Sequence, residues 1–168
     1  MNNKLDIEIR PVTPPDVPAI AALAREIWLA TYPGIITQEQ IDFMLEQRYG
    51  HERLYDDLED LHKWLDQAFH NGRRVGFAFS EIYKGEFKLD KLYIHPDVQR
   101  RGVGGQLIAH VAERAKREGY PCVILQVNKR NVNAINSYKK YGFVIRDVTV
   151  DDIGHGYVMD DYVMEKKL

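Results

Sequence analysis

A chain of 168 residues, 45% hydrophobic and 29% charged, is long enough to bury one sizeable core and too short for two full domains, so residues 1–168 are read as a single domain. No run approaches the length of a membrane span, Met1 to Arg10 alternates charge with Ile and Leu where a signal peptide would be apolar, and the lone Cys122 can make neither an internal disulfide nor a cysteine-rich metal site. A cytoplasmic protein with no metal is expected, and a net charge of -2 with a pI near 6.3 argues against a general nucleic-acid binder.

The elements follow in chain order. Leu5 to Val12 alternates Leu5, Ile7 and Ile9 with Asp6, Glu8 and Arg10, the period of a half-buried strand. Thr13 as cap, Pro14 in the first helical position and Asp16 in the first turn then start a helix with Val17, Ile20, Ala21, Ala24, Ile27 and Trp28 on one face. After the break at Tyr32-Pro33-Gly34, Thr37 and Gln40 form a capping box ahead of Ile41, Met44 and Leu45. From His51 to His70 the spacing of Leu54, Leu58, Leu61, Leu65 and Ala68 predicts a third amphipathic helix. Beyond Asn71-Gly72, Val75, Phe77 and Phe79 mark a strand, turned at Lys84-Gly85 into the next.

In Glu86 to Ile94 the apolar residues change parity, Phe87 and Leu89 against Leu92 and Ile94. A bulge near Asp90 or Lys91 would restore one face, and a strand buried on both sides would explain the same pattern. A helix with Val103, Leu107, Ile108, Val111, Ala112 and Ala115 inward ends at Gly119. A short buried strand at Cys122 to Val127, a helix from Asn133 to Tyr141 and a closing antiparallel pair, Phe143 to Val150 with Tyr157 to Met164, complete an α/β (α+β) arrangement with a mixed sheet.

The chemistry concentrates at Gln99-Arg100-Arg101-Gly102-Val103-Gly104-Gly105, a glycine-rich turn running from a strand into a helix. Unpaired amides at a helix start favour an anion such as phosphate, although ordinary turns use the same glycines and the two arginines alone read equally as a surface pair. A Walker loop is excluded because Gly105 is followed by Gln106-Leu107, and a dinucleotide fingerprint lacks its acid about twenty residues on.

Leu92-Tyr93-Ile94-His95-Pro96 followed by this turn resembles the acetyl-coenzyme A signature of the GCN5-related N-acetyltransferases (GNAT family), Gln/Arg-x-x-Gly-x-Gly/Ala after a bulged strand. A second block is similar too: Val127-Asn128, Asn131, Ala134-Ile135, Tyr138, Lys140 and Gly142-Phe143. The resemblance covers the chain closely from about Arg73 onward and implies the GNAT fold, with about six or seven strands in a mixed sheet flanked by helices and extra N-terminal helices.

It further implies an acetyl-coenzyme A-dependent enzyme of the acyltransferase class, with no metal. The amides of Arg100, Arg101, Gly102, Val103, Gly104 and Gly105, with Gln99, would hold the pyrophosphate, and Leu92, Tyr93 and Ile94 would pair with the pantetheine arm. Tyr138 would be the general acid, with packing as its alternative role; Asn131 and Asn133 would cap a helix or hold the coenzyme, and Lys140 would lie on the basic side. For a base that deprotonates the amine, Glu81 at a strand end is the candidate, with His95 second.

Between Asp147 and Asp161 stand five aspartates and no Lys or Arg, whereas Lys129, Arg130, Lys139 and Lys140 precede them. The acidic side suits a cationic acceptor, unless it is a solvated loop. The ending Gly154 to Met164 resembles that of bacterial spermidine and spermine acetyltransferases, and Thr31-Tyr32-Pro33-Gly34 resembles their acceptor-side junction, which puts Tyr32, Asp160 and Asp161 at the substrate. The resulting expectation is acetyl transfer to a primary amine of a small polyamine-like molecule in a ternary complex. A protein or peptide N-acetyltransferase and a non-catalytic acetyl-coenzyme A-binding regulator are the alternatives. The expected partner is a small-molecule amine, with no nucleic acid or membrane and with a homodimer left open.

Overall fold

The computed structural model describes residues 3–168. Seven strands form one mixed sheet in the order β1-β2-β3-β4-β5-β7-β6, comprising β1 (Glu8–Pro11), β2 (Lys63–His70), β3 (Arg73–Tyr83), β4 (Glu86–Ile94), β5 (Cys122–Asn128), β6 (Val144–Gly154) and β7 (Tyr157–Lys167). One face packs on α4 (Val103–Arg117) through Phe87, Leu89, Leu107, Val111 and Leu125. The other packs on α1 (Val17–Thr31), α2 (Gln38–Tyr49) and α3 (His51–Glu59) through Trp28, Ile41, Met44, Leu54, Phe77 and Phe79. A final short helix, α5 (Val132–Lys140), follows β5.

Local chemistry explains most boundaries. The Asp16 carboxylate accepts from the Thr13 amide at 2.9 Å and from its hydroxyl at 2.7 Å, closing a short 3-10 turn at Pro14–Asp16 that leads into α1. Thr37 Oγ1 accepts from the Gln40 amide at 3.2 Å, but the Gln40 side chain donates to the Val158 carbonyl instead of returning to Thr37, so only half of the expected capping box forms. α4 ends where Gly119 takes φ +86° and the amides of Gly119 and Tyr120 reach back to Lys116 and Ala115.

The long helix expected over His51 to His70 is corrected: α3 stops at Glu59, and Lys63–His70 is the strand β2, paired with β1 on one side and β3 on the other. Leu61, counted on the apolar helical face, is 89% exposed in the turn between them. Consecutive burial of Leu65, Asp66, Gln67 and Ala68 shows why no strand period was visible: β2 is covered on both faces. Asp66 meets Arg114, and Gln67 meets Asp16 and Arg74, so these interior polar groups are paired. The first strand is also shorter than expected. Leu5 lies outside it, where its amide donates to the Arg101 carbonyl at 2.9 Å.

The parity change in β4 is a bulge. Phe79 pairs with Lys91 and Ser80 with Leu89, which leaves Asp90 unopposed. β4 and β5 are the parallel neighbours of the sheet, and their ladder consists of Phe87 with Val123 and Lys88 with Ile124. Past the bulge the two strands part, so Leu92 to Ile94 pair with β3 on one edge while the other edge opens into a gap.

Candidate active site

The gap between β4 and β5 is bounded at one end by the glycine turn. Arg100 and Gly102 both take left-handed backbone, at φ +62° and +82°, which bends the chain so that successive amides converge at the start of α4. The turn is braced from behind. Gln99 Nε2 donates to the Ile94 carbonyl at 3.2 Å, and Gln106 Nε2 donates to the carbonyls of Leu5 at 2.7 Å and Gly102 at 3.2 Å.

The glycines divide by purpose. A Cβ at Gly105 would fall 2.7 Å from the Tyr141 ring, so that position is bare for internal packing. At Gly104 the nearest atom to such a Cβ is Ile94 Cγ1 at 3.9 Å, so nothing within the protein requires glycine there. A bare first turn facing open space fits the close approach of a pyrophosphate to the backbone. Arg101 Nε is buried without a hydrogen-bond partner, an unmet cationic donor in the same turn. Val103 contributes only its amide, since its side chain is buried against α4's core face.

Across the gap, the Asn131 side chain accepts from the Ala134 amide at 3.2 Å and caps α5, which carries Tyr138. The Tyr138 ring packs edge-on against Phe143, and burial, followed by the nearby Tyr32 phenol, raises its pKa well above the ordinary phenol value. Asn133 and Lys140 point to solvent. Tyr32 and Tyr93 share a hydrogen bond of 2.9 Å between their hydroxyls, so the end of α1 and the open end of β4 meet directly.

The loop after β5 ties these parts together. Arg130 donates to the carbonyls of Gly34 at 2.8 Å and Ile35 at 2.7 Å, and Lys129 meets Asp160 at 2.6 Å. The turn of the β6–β7 hairpin lies on α2, with the His155 and Tyr157 rings 4.7 and 5.4 Å from Phe43. The hairpin thereby covers this part of α2.

The two aspartates expected at the substrate differ sharply. Asp160 is exposed and held by Lys129, whereas Asp161 is 5% exposed, and its Oδ1 has no hydrogen-bond partner among the described residues. Burial pushes the Asp161 carboxyl up to about 6 against the opposing charges of Arg48 and Lys88.

The two base candidates lie elsewhere. Glu81 is opposite Lys88 in the β3–β4 ladder, four residues along β3 from Phe77, which faces Tyr93; at roughly 3.3 Å per residue that is about 13 Å from the Tyr93 pair. It joins a charged cluster under α3 with Lys63 at 3.9 Å and with Asp90, and burial followed by the Asp90 charge raises its carboxyl. Burial opposes ionisation of Asp90 as well, but Lys91 at 2.7 Å and Lys88 at 3.4 Å outweigh it and hold that carboxyl well below its usual range. His95 has both ring nitrogens engaged, Nε2 with Glu26 at 2.7 Å and Nδ1 accepting from the Asp97 amide at 3.1 Å, so it fastens α1 to the loop after β4. Arg48 and Lys88 were not singled out from sequence, because no motif surrounds them.

Among the described residues no group of three or more His, Cys, Asp or Glu side chains is placed to hold a metal, and no helix is long and apolar enough to cross a membrane. Residues 22–143 match the acetyltransferase (GNAT) family. The chain is 28% identical over 167 residues to the spermidine N(1)-acetyltransferase of Thermoplasma acidophilum, spanning 97% of this chain and 98% of that protein. The crystal structure of the PaiA N-acetyltransferase from Thermoplasma acidophilum in complex with coenzyme A superposes with a TM-score of 0.84 at 27% identity, over 98% of this chain and 100% of that one. A ribosomal protein bS18 alanine N-acetyltransferase of Escherichia coli is 31% identical over 77 residues, 46% of this chain and 52% of that enzyme. The open strand edge and the braced amide turn thus have a family that accounts for both: the chain belongs to the acetyltransferase (GNAT) family and is an acetyl-coenzyme A-dependent N-acetyltransferase.

Proposed function

We propose that the acetyl group is transferred to a primary amine of a small, polycationic molecule of polyamine type, in a complex that holds both substrates at once. The observation that carries this reading is a buried carboxylate, Asp161, whose Oδ1 has no hydrogen-bond partner among the described residues and whose charge reaches the Tyr32 phenol at the end of α1. A buried anion without a partner is costly, and a ligand ammonium removes that cost. The likeness over nearly the whole chain to a protein named as a spermidine N(1)-acetyltransferase supports it. The sequence match to the alanine N-acetyltransferase spans less than half the chain.

Each residue then has a task in the geometry. The amides from Arg100 to Gly105 hold the pyrophosphate, with Arg101 supplying the charged donor. The free edge of Leu92, Tyr93 and Ile94 takes the pantetheine amides as a further strand, and an amide beyond the bulge polarises the thioester carbonyl. Tyr138 faces the departing sulfur. Its phenol remains protonated well above the range of a thiol, about 8.5, so it stabilises the developing thiolate by donating a hydrogen bond more than by surrendering the proton.

Release of coenzyme A, followed with spermidine, spermine, a monoamine, an alanine-terminated peptide and no acceptor, tests the assignment. Turnover with the polyamines at least tenfold above the other three is expected. Equal or faster turnover of the peptide would move the chain to the protein-acetylating class.

A further inference from the structure

Transfer to an amine that is protonated at neutral pH needs a group in contact with it that can take a proton, and the two carboxylate and imidazole candidates read from sequence are committed elsewhere. Glu81 belongs to the charged cluster under α3, and His95 is held at both nitrogens. Asp161 differs from both. It lies on β7 opposite Asn128, the last residue of β5, where the gap is open. Its side chain is buried, and Oδ1 is without a partner. Its charge acts on Lys88, which stands on β4 just before the bulge, and on the Tyr32 phenol at the end of α1.

We propose that Asp161 is the catalytic base, its carboxylate binding the acceptor ammonium and taking the proton that frees the nitrogen lone pair. This rests on the acetyl-transfer reading and deepens it.

The step balances as follows. The ammonium gives one proton to the Asp161 carboxylate. The neutral nitrogen forms the C–N bond to the thioester carbon as the C–S bond breaks, its second proton passes to the departing sulfur, and Asp161 later returns its proton to solvent. The charged or titratable groups whose charges reach it are Tyr32 from α1, Arg48 from α2, Lys88 from β4, Asp151 from β6 and, on the opposite face of β7, Asp160. With its carboxyl pushed up to about 6, Asp161 is ionised at neutral pH and is a better proton acceptor than an ordinary carboxylate.

The test is the pH profile of kcat/KM for wild type, Asp161→Asn and Glu81→Gln, with whichever primary amine of the panel the wild type acetylates best. The wild-type profile should rise through about pH 6, and Asp161→Asn should lose that limb together with about a hundred- to ten-thousandfold in kcat, while its calorimetric affinity for coenzyme A stays within twofold. Asp161→Glu, which restores a carboxylate at a shifted position, should recover part of the rate and the limb. An Asp161→Asn profile like that of wild type, or loss of the limb in Glu81→Gln instead, overturns the proposal. Failure of spermidine as an acceptor would instead overturn the polyamine assignment alone, because the limb is read with the amine actually used.

Discussion

The two sides of the gap are built by different means. The coenzyme side is made of backbone: a bulge at Asp90, an open edge from Leu92 to Ile94 and left-handed Arg100 and Gly102 aiming amides at a helix start. The acceptor side is made of side chains from distant segments: Tyr32 of α1, Arg48 of α2, Asp161 of β7, and a hairpin resting on Phe43. A backbone site depends on glycines and a change of strand parity, which are local in sequence. A side-chain site depends on which carboxylate of several is buried, which only the packing decides.

This contrast can be broken from either side. Tyr138→Phe should leave coenzyme affinity within a few-fold and lower kcat by about ten- to a thousandfold under conditions where chemistry is rate-limiting. Presteady-state turnover checks it, and a wild-type rate would return Tyr138 to a packing role. Gly104→Asp should weaken coenzyme A at least tenfold by calorimetry while the fold persists, since space exists for the side chain but its charge repels the pyrophosphate. Unchanged affinity would displace the anion site from this turn.

On the acceptor side the effects on stability are smaller and of opposite sign to the loss of rate. Asp161→Asn should make the protein more stable at pH 8, by up to about 3 kcal/mol, because a carboxyl raised from 3.8 to about 6 penalises the folded state once ionised. The sign follows from protons bound: below both values wild type and variant should match, the deficit of wild type should open as pH rises from about 4 to 6, and it should persist above. Denaturant unfolding at pH 4 and pH 8 measures it. A catalytic loss accompanied by a stability gain would separate function from scaffolding at one residue. Asp160→Asn, which removes an exposed charge bridged to Lys129, should change spermidine KM only a few-fold.

The sequence analysis placed the glycine turn and the β4 bulge closely, because Gly102 and the parity change in β4 each have a local backbone cause. It treated Gly104 and Gly105 alike, although only Gly105 is needed against Tyr141. It paired Asp160 with Asp161 as equals, although neighbouring strand residues point to opposite faces and one is exposed while the other is buried. It also extended α3 through β2, because the spacing of Leu54, Leu58, Leu61, Leu65 and Ala68 continues by coincidence across the Asp60 to His62 turn. A strand covered on both faces, with Asp66 and Gln67 satisfied by partners far away in sequence, carries no period to correct that reading. Arg130 was read only as one of a basic cluster; its bonds to the carbonyls of Gly34 and Ile35 have no local signal, since those partners are backbone atoms nearly a hundred residues distant.

The central claim, that a basic backbone site and an acidic side-chain site meet across one gap, is tested most directly by a competition between spermidine and a monoamine bearing the same reacting group. Both are placed in one vessel with acetyl-coenzyme A, at 0.1 M and 1 M salt, with products separated by mass. The ratio of kcat/KM should favour spermidine at least tenfold at the lower salt and fall at the higher, where the screening length shrinks to about 3 Å, while staying above unity because the buried Asp161 carboxylate is screened less. A ratio near one at both salts, or a preference for the monoamine, would contradict it.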